Sequence, residues 1–217
     1  MDAILSAIFL STFIIGILAL RFLVSGSSLS RWKKRVEISP WDLRTFLHLG
    51  KKRPKPNDAF LFSEELVISM GHRFKGRFDQ AIIRWDEVPI LEILIERKFP
   101  VRIIPDKAKS EDVFQAGLYA LALMEQGVSC SSTKLAIIYC LQKNAKECVN
   151  AGIPANCLKC RKGRIFKEKF RPKKIIRAIG KLNQMWYQGR KPRPNPETSK
   201  CIACPYRERH LCNYSAV

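Results

Sequence analysis

The feature that most restricts how this chain folds lies at its beginning. Residues 3–20, AILSAIFLSTFIIGILAL, contain no charged side chain, and after Arg21 the apolar run resumes with Phe22, Leu23 and Val24. At about 1.5 Å per residue a helix of this length matches the roughly 30 Å hydrocarbon core of a bilayer. Because it is apolar on every face, it offers no polar side to water and is expected in a membrane rather than on a globular surface. The two competing readings are a secretory signal peptide and a buried globular helix. Signal peptides open with a basic segment, whereas only Met1 and Asp2 precede this run. Arg21, Arg31, Lys33, Lys34 and Arg35 all follow it, and the positive-inside rule keeps that side in the cytoplasm. The expectation is a single-pass membrane protein, with residues 1–24 as a transmembrane anchor, 25–37 as a Ser-rich linker and the body in the cytoplasm.

A cytoplasmic body keeps its eight cysteines as reduced thiols, available to metals rather than committed to disulfides. The chain carries 39 Lys and Arg against 19 Asp and Glu, a net charge of +20. That excess favours a polyanionic partner, either nucleic acid or an anionic membrane surface. It is concentrated in residues 157–217, where 17 Lys and Arg face 3 Glu for a net +14. With 47% apolar and 10% aromatic residues the body has enough material for a core, which excludes a wholly disordered basic tail.

Periodicity divides the body into strands and helices. Ser39-Pro-Trp-Asp-Leu followed by RTFLHL predicts an N-capped helix of about ten residues, ended by a basic, Pro-containing loop at residues 50–58. Strands are predicted at residues 66–69, 74–84, 88–98 and 134–141, the third and fourth almost continuously apolar as if covered on both faces. Residues 111–125, EDVFQAGLYALALME, show helical spacing and good helix formers. A basic helix is predicted from Pro172 to Gln188. This order implies an α/β domain with a mixed sheet flanked by helices.

Three groups of residues within these elements carry chemistry. Asp79 lies inside one strand, and Glu96 and Lys98, two apart on the next, point to one face. Carboxylates paired in this way suit a hard divalent cation, magnesium or manganese, and a neighbouring lysine offsets charge on a phosphate under attack. Gln115 and Tyr119, four apart, share one face of the predicted helix, and Gln115 interrupts its apolar side, where a polar group needs a partner. The plain alternative is a set of surface polar residues.

Gly76-x-x-Asp79, Glu96-x-Lys98 and Gln115-x-x-x-Tyr119, in that order, resemble the motifs of RecB-type nucleases in the PD-(D/E)xK superfamily. The end of the chain, with Cys201-Ile-Ala-Cys204 and Cys212, is similar to the iron–sulfur segment of CRISPR-associated exonucleases of the Cas-four type and of AddB-like nucleases. The resemblance covers residues 38–212. It implies a restriction-endonuclease-like core at residues 38–156 and a basic, Cys-rich metal-binding segment at 157–217. It further implies metal ligation by Asp79, Glu96 and the backbone carbonyl of Arg97, with Lys98 acting on the nucleophilic water and Gln115 and Tyr119 orienting the site. The family's apolar residue is Arg97 here, with its side chain expected on the sheet face opposite Glu96 and Lys98. His48 is the candidate for the family's upstream motif.

The family takes one cluster cysteine upstream of the core, whereas here no Cys precedes Cys130. A second pair, Cys157-Leu-Lys-Cys160, stands beside a glycine as in a zinc knuckle. Two centres remain open: zinc on Cys157, Cys160, Cys201 and Cys204, or a four-iron four-sulfur cluster on Cys201, Cys204 and Cys212 with Cys157 or Cys160 as fourth ligand. Cys130, Cys140 and Cys148 read as plain thiols, Cys140 as core. Arg161, Lys162, Arg164, Lys167, Lys169, Arg171, Lys173 and Lys174, interleaved with Ile165, Phe166 and Phe170, read as phosphate contacts with aromatics for base stacking, or as attraction to headgroups. The expected function is a membrane-anchored nuclease acting on DNA. The alternatives are a catalytically impaired nucleic-acid-binding or scaffold protein of the same fold, and a zinc-ribbon DNA binder with an unrelated α/β domain.

Overall fold

The computed structural model describes residues 36–49, 54–150, 157–208 and 211–217. The elements are β1 (Val36–Ile38), α1 (Leu43–Leu47), β2 (Ala59–Ser69), β3 (Phe74–Asp86), β4 (Val88–Lys98), α2 (Ser110–Glu125), β5 (Lys134–Tyr139), α3 (Gln142–Asn150), β6 (Arg164–Lys169), α4 (Pro172–Tyr187) and α5 (Thr198–Ile202). They form two compact units, residues 1–172 and 173–217. The apolar run of residues 3–20 and most of the expected linker lie outside the described residues. Among the described residues no helix is long and apolar enough to cross a membrane.

The first unit is a mixed α/β body built on one six-stranded sheet in the order β1-β2-β3-β4-β5-β6. β1 is parallel to β2, β2, β3 and β4 run antiparallel in turn, β4 is parallel to β5, and β6 returns antiparallel. The parallel step from β4 to β5 requires a crossover, and α2 supplies it. On one sheet face Ala59, Ile82, Ile93, Ile95, Ala136 and Ile138 form a core closed by Leu158. On the other, α2 lies across β2 to β5, burying Ala116, Ala120, Leu121 and Leu123. β4 is covered on both faces, which is why its sequence is almost uniformly apolar.

Two expectations are corrected by the packing. The first helix is five residues long, capped by Asp42, whose carboxylate accepts from Thr45 N–H at 2.7 Å. It is held by Phe46, whose ring meets Phe60, Phe62 and Trp85. Tertiary aromatic contacts, rather than helix length, fix this short element. The second correction concerns the aromatics of the basic stretch after Cys160. Its residues 164–169 form β6 on the sheet edge, Phe170 is buried and the Phe166 ring stands edge-on to Tyr139 at 5.7 Å. Phe170 is thereby closed to a base, and Phe166 is half-buried.

The long β2–β3 hairpin is tied to the end of α2 through Glu125. Ser69 Oγ donates to Glu125 Oε2 at 2.8 Å, and His72 Nδ1 lies 2.5 Å from Oε1. Burial alone raises the Glu125 carboxyl, but the hydrogen bonds from Ser69 and His72 outweigh it and hold the carboxyl below its ordinary value. A group depressed in the folded state stabilises it fully above the unfolded value, about 4.3, and loses that contribution as pH falls through the folded value. Glu125→Gln should therefore lower the thermal midpoint at pH 7, and the gap to wild type should close as pH falls below about 4. Melting curves across that range provide the check.

Candidate active site

The register carries Asp79 and Glu96 toward one another. Gln80 pairs with Ile95 at the end of the β3–β4 ladder, beyond it the Asp79 carboxylate bonds the Arg97 N–H, and alternation puts Glu96 and Lys98 on one face, toward α2. An irregularity between Ile82 and Ile83 sits two residues away in the same ladder. It shifts the pairing of the hairpin's far half while leaving the Asp79 end in this register.

Lys98 is the hub. Its Nζ lies 2.9 Å from Glu96 Oε1 and 3.5 Å from Asp112 Oδ1, and it donates to Gln115 Oε1 at 2.8 Å. Gln115 Nε2 donates onward to the Tyr119 hydroxyl at 2.9 Å. The Tyr139 hydroxyl donates to Asp112 Oδ2 and itself accepts from Lys109 N–H at 3.0 Å. Asp79 Oδ2 accepts from Arg97 N–H at 2.5 Å. The structure thus brings Glu96, Lys98, Gln115 and Tyr119 together on the α2 side of the sheet, while Asp79, whose charge acts on Glu96, has its own bonds to Arg97.

Electrostatics at this cluster follow from burial. Glu96 is 3% exposed. Burial pushes its carboxyl up, the charges of Asp79 and Asp112 push it further, and Lys98 pulls it back. Burial also works against the Lys98 ammonium, but Glu96 and Asp112 more than compensate and raise it above its ordinary value, so it is protonated at neutral pH. Glu96 Oε2 is buried with no hydrogen-bond partner. A buried carboxylate oxygen left in this state is costly, and a cation shared with Asp79 would satisfy it. Among the described residues no three His, Cys, Asp or Glu side chains already stand in a metal-holding arrangement.

Asp112 and Tyr139 were missed in the sequence. Asp112 reads there as an ordinary acid of a helix's first turn, yet it is 9% exposed. The spacing Asp112, Gln115, Tyr119 runs polar down one helix face and was the available signal. Glu64 was also missed. It falls between the Ser63–Gln80 and Glu65–Phe78 pairs, opposite Asp79, with φ of 56°. Such a backbone angle is uncommon for a residue with a side chain and tends to occur near functional sites.

The Arg97 side chain leaves on the face opposite Glu96 and Lys98, as alternation requires. There its Nη2 lies 2.6 Å from Glu64 Oε1 and its Nε 3.8 Å from Asp79 Oδ2. His48 caps α1, is exposed, and sits with Nδ1 2.8 Å from the Arg44 carbonyl, so its hydrogen bonds are to its own helix. In the second unit Cys201 lies on α5, its Sγ accepting from Ala216 N–H at 3.4 Å, and Cys204 N–H donates to the Cys201 carbonyl at 3.1 Å. Cys212 N–H donates to the Glu208 carbonyl at 2.9 Å. Of the basic residues, Lys162 pairs with Glu147 and Arg164 with Asp106, both at 2.9 Å. Arg161, Lys167, Lys169, Arg171, Lys173 and Lys174 are exposed.

An open cavity of about 480 Å³ adjoins Lys98, floored by Asp112 and Tyr139 and rimmed by Phe99, Ile103 and Lys109. Phe99 and Ile103 are exposed apolar residues beside charged ones, a mixture suited to a ligand with both a ring and an anionic group. No family model, no curated protein and no solved structure matches this chain.

Gly76 makes the Tyr119 position possible. A Cβ on Gly76 would stand 2.5 Å from Tyr119 Cε1 and 3.3 Å from its hydroxyl. Gly76→Ala should therefore cost about 1–3 kcal/mol through overpacking. In the double variant with Tyr119→Ala the two losses should fall short of additivity, as read by denaturant unfolding of all four chains.

Proposed function

We propose that this chain is a membrane-anchored, divalent-metal-dependent nuclease of the RecB-like PD-(D/E)xK type, with a restriction-endonuclease-like core, hydrolysing phosphodiester bonds of DNA. One observation carries the reading: Glu96, buried with one carboxylate oxygen unpartnered, is held by Lys98, which Gln115 holds in turn, and feels the charge of Asp79. Asp79 and Glu96 would hold magnesium or manganese, with the Arg97 carbonyl in the ligand set that the resemblance implies. When bound, such an ion supplies Lewis-acid activation of the phosphate.

The remaining chemistry belongs to the chain's own residues. Lys98, cationic at neutral pH, is a hydrogen-bond donor and a charge-stabilising group rather than a base. It holds the attacking water and offsets negative charge gathering on the phosphorus oxygens. Gln115 and Asp112 fix its Nζ from two sides, and Tyr119 and Tyr139 fix those residues in turn. Exposed Arg161, Lys167, Lys169, Arg171, Lys173 and Lys174 supply phosphate contacts that carry no sequence information. Residues 3–20 hold the body at the cytoplasmic face of a membrane, and Cys201, Cys204 and Cys212 are three ligands of the four-iron four-sulfur cluster that the resemblance implies.

A second reading has its own support. The Arg97 guanidinium, held by Glu64, stands beside Asp79 and competes with a metal for that carboxylate. This favours a nuclease-fold protein that binds nucleic acid without cutting it. Purified full-length chain with manganese should degrade labelled DNA, and Asp79→Ala or Lys98→Ala should each lower the rate by about 10²-fold or more. Cleavage that survives either change sinks the mechanism. Steeply salt-dependent binding without cleavage in wild type selects the second reading.

A further inference from the structure

Cys140, Cys148, Cys157 and Cys160 come from three places in the first unit that are gathered at one corner of the sheet. Cys140 immediately follows β5, Cys148 lies on α3, and Cys157 and Cys160 bracket a single 3-10 turn, Cys157–Lys159. β5 and β6 pair up to Tyr139 and Arg164. That pairing brings the Lys162-Gly163 corner onto Cys140, where a Cβ built on Gly163 would stand 3.6 Å from the Cys140 Cβ and 3.0 Å from the Tyr139 carbonyl. Lys162 ties the remaining pieces to the same corner. Its backbone N–H donates to Cys160 Sγ at 3.4 Å, its Nζ donates to Glu147, the neighbour of Cys148, at 2.9 Å, and Asn144 Nδ2 donates to its carbonyl at 3.5 Å. Cys160 N–H donates to the Cys157 carbonyl at 3.3 Å.

We infer that these four cysteines form a structural zinc site, contained wholly in the first unit and separate from Cys201, Cys204 and Cys212. The chemistry of the donors points to this ion. Four thiolates, two of them from one C-x-x-C turn with a backbone amide directed at a sulfur, are a closed tetrahedral set of the kind zinc takes. Bonds to the Lys162 corner hold the segments that carry Cys148 and Cys160 beside it, and zinc displaces the thiol protons of donors that the fold gathers there. Among the described residues these sulfurs do not already stand as a metal-holding group, so binding of the ion requires them to draw together. Cys130, by contrast, is buried away from this group with its thiol pushed up to about 11, and takes no part.

The site bears on the active-site cluster through the backbone. Cys140 N–H donates to the Lys98 carbonyl at 2.9 Å, and Gln142 N–H to the Pro100 carbonyl at 3.0 Å. Zinc at Cys140 therefore pins the end of β4 that carries Lys98, and α3 with it. The zinc site itself does not depend on the nuclease reading.

The test uses full-length chain purified under reducing conditions and loaded with zinc sulfate, with metal content read by elemental analysis. About one zinc per chain should remain in Cys201→Ser/Cys204→Ser and in Cys130→Ser, and it should be lost in Cys148→Ser and Cys160→Ser. Cys148→His, which restores a ligand, should retain it, separating loss of a donor from a failure to fold. Cobalt substitution should give thiolate charge-transfer absorption that disappears with the same two serine variants. Three outcomes would overturn the assignment: wild type that binds no zinc, zinc that leaves with the Cys201/Cys204 variant, or iron and sulfide retained on these four cysteines.

Discussion

The burial of Glu96 is the constraint on which this structure turns. Moving a carboxylate from water into the middle of a sheet costs several kcal/mol unless a partner meets it. Lys98 meets it from two residues away on the same strand face. That solution creates a second requirement, because the ammonium is then partly desolvated and needs donors' partners of its own. Gln115 and Asp112 on α2 supply them, so an otherwise apolar helix must dock in one rotation and at one height. The Tyr119 ring then needs a glycine beneath it at position 76. One buried charge thereby fixes the seating of a helix, the identity of a distant glycine and the direction of two tyrosines.

Much of this was legible from residue spacing alone. A period of two put Glu96 and Lys98 on one face, and a period near four put Gln115 above Tyr119, because those relations depend only on backbone geometry. The strands at 74–86 and 88–98 were readable for the same reason. What escaped was everything that depends on a partner distant in sequence. Asp112 looks like helix-terminus electrostatics until Tyr139 and Lys98 are seen beside it. Phe166 and Phe170 look like base-stacking residues because their neighbours are basic, yet an edge strand with one buried and one solvated side has the same composition. Cys140 reads as core from its strand, and it is indeed buried, but strand periodicity says nothing of the Lys162-Gly163 corner that reaches it.

The parallel pair β4 and β5 explains why the chemistry gathers where it does. Lys98 and Tyr139 are the last residues of these two strands, and their register pairs them directly. Crevices in α/β sheets open at the carboxyl ends of parallel strands, because the connecting chain must leave there and cannot fill the space. The cavity beside Lys98 lies at that end, and the first turn of α2 forms its wall through Asp112. The cysteine group starts one residue beyond the same end, at Cys140.

Charge gives this crevice its sense. In the cluster behind it Glu96 and Asp112 stand against Lys98, with the charge of Asp79 acting on Glu96, so acids outnumber the lysine there inside a chain of net +20. On the proposed function, a polyanion approaching this place would meet repulsion. A divalent cation meets the opposite, a partly desolvated pair of carboxylates with one oxygen unpartnered. On the proposed function, the cost of burying those acids would be relieved by an ion that lets a phosphate approach them, and binding of either one would make binding of the other easier.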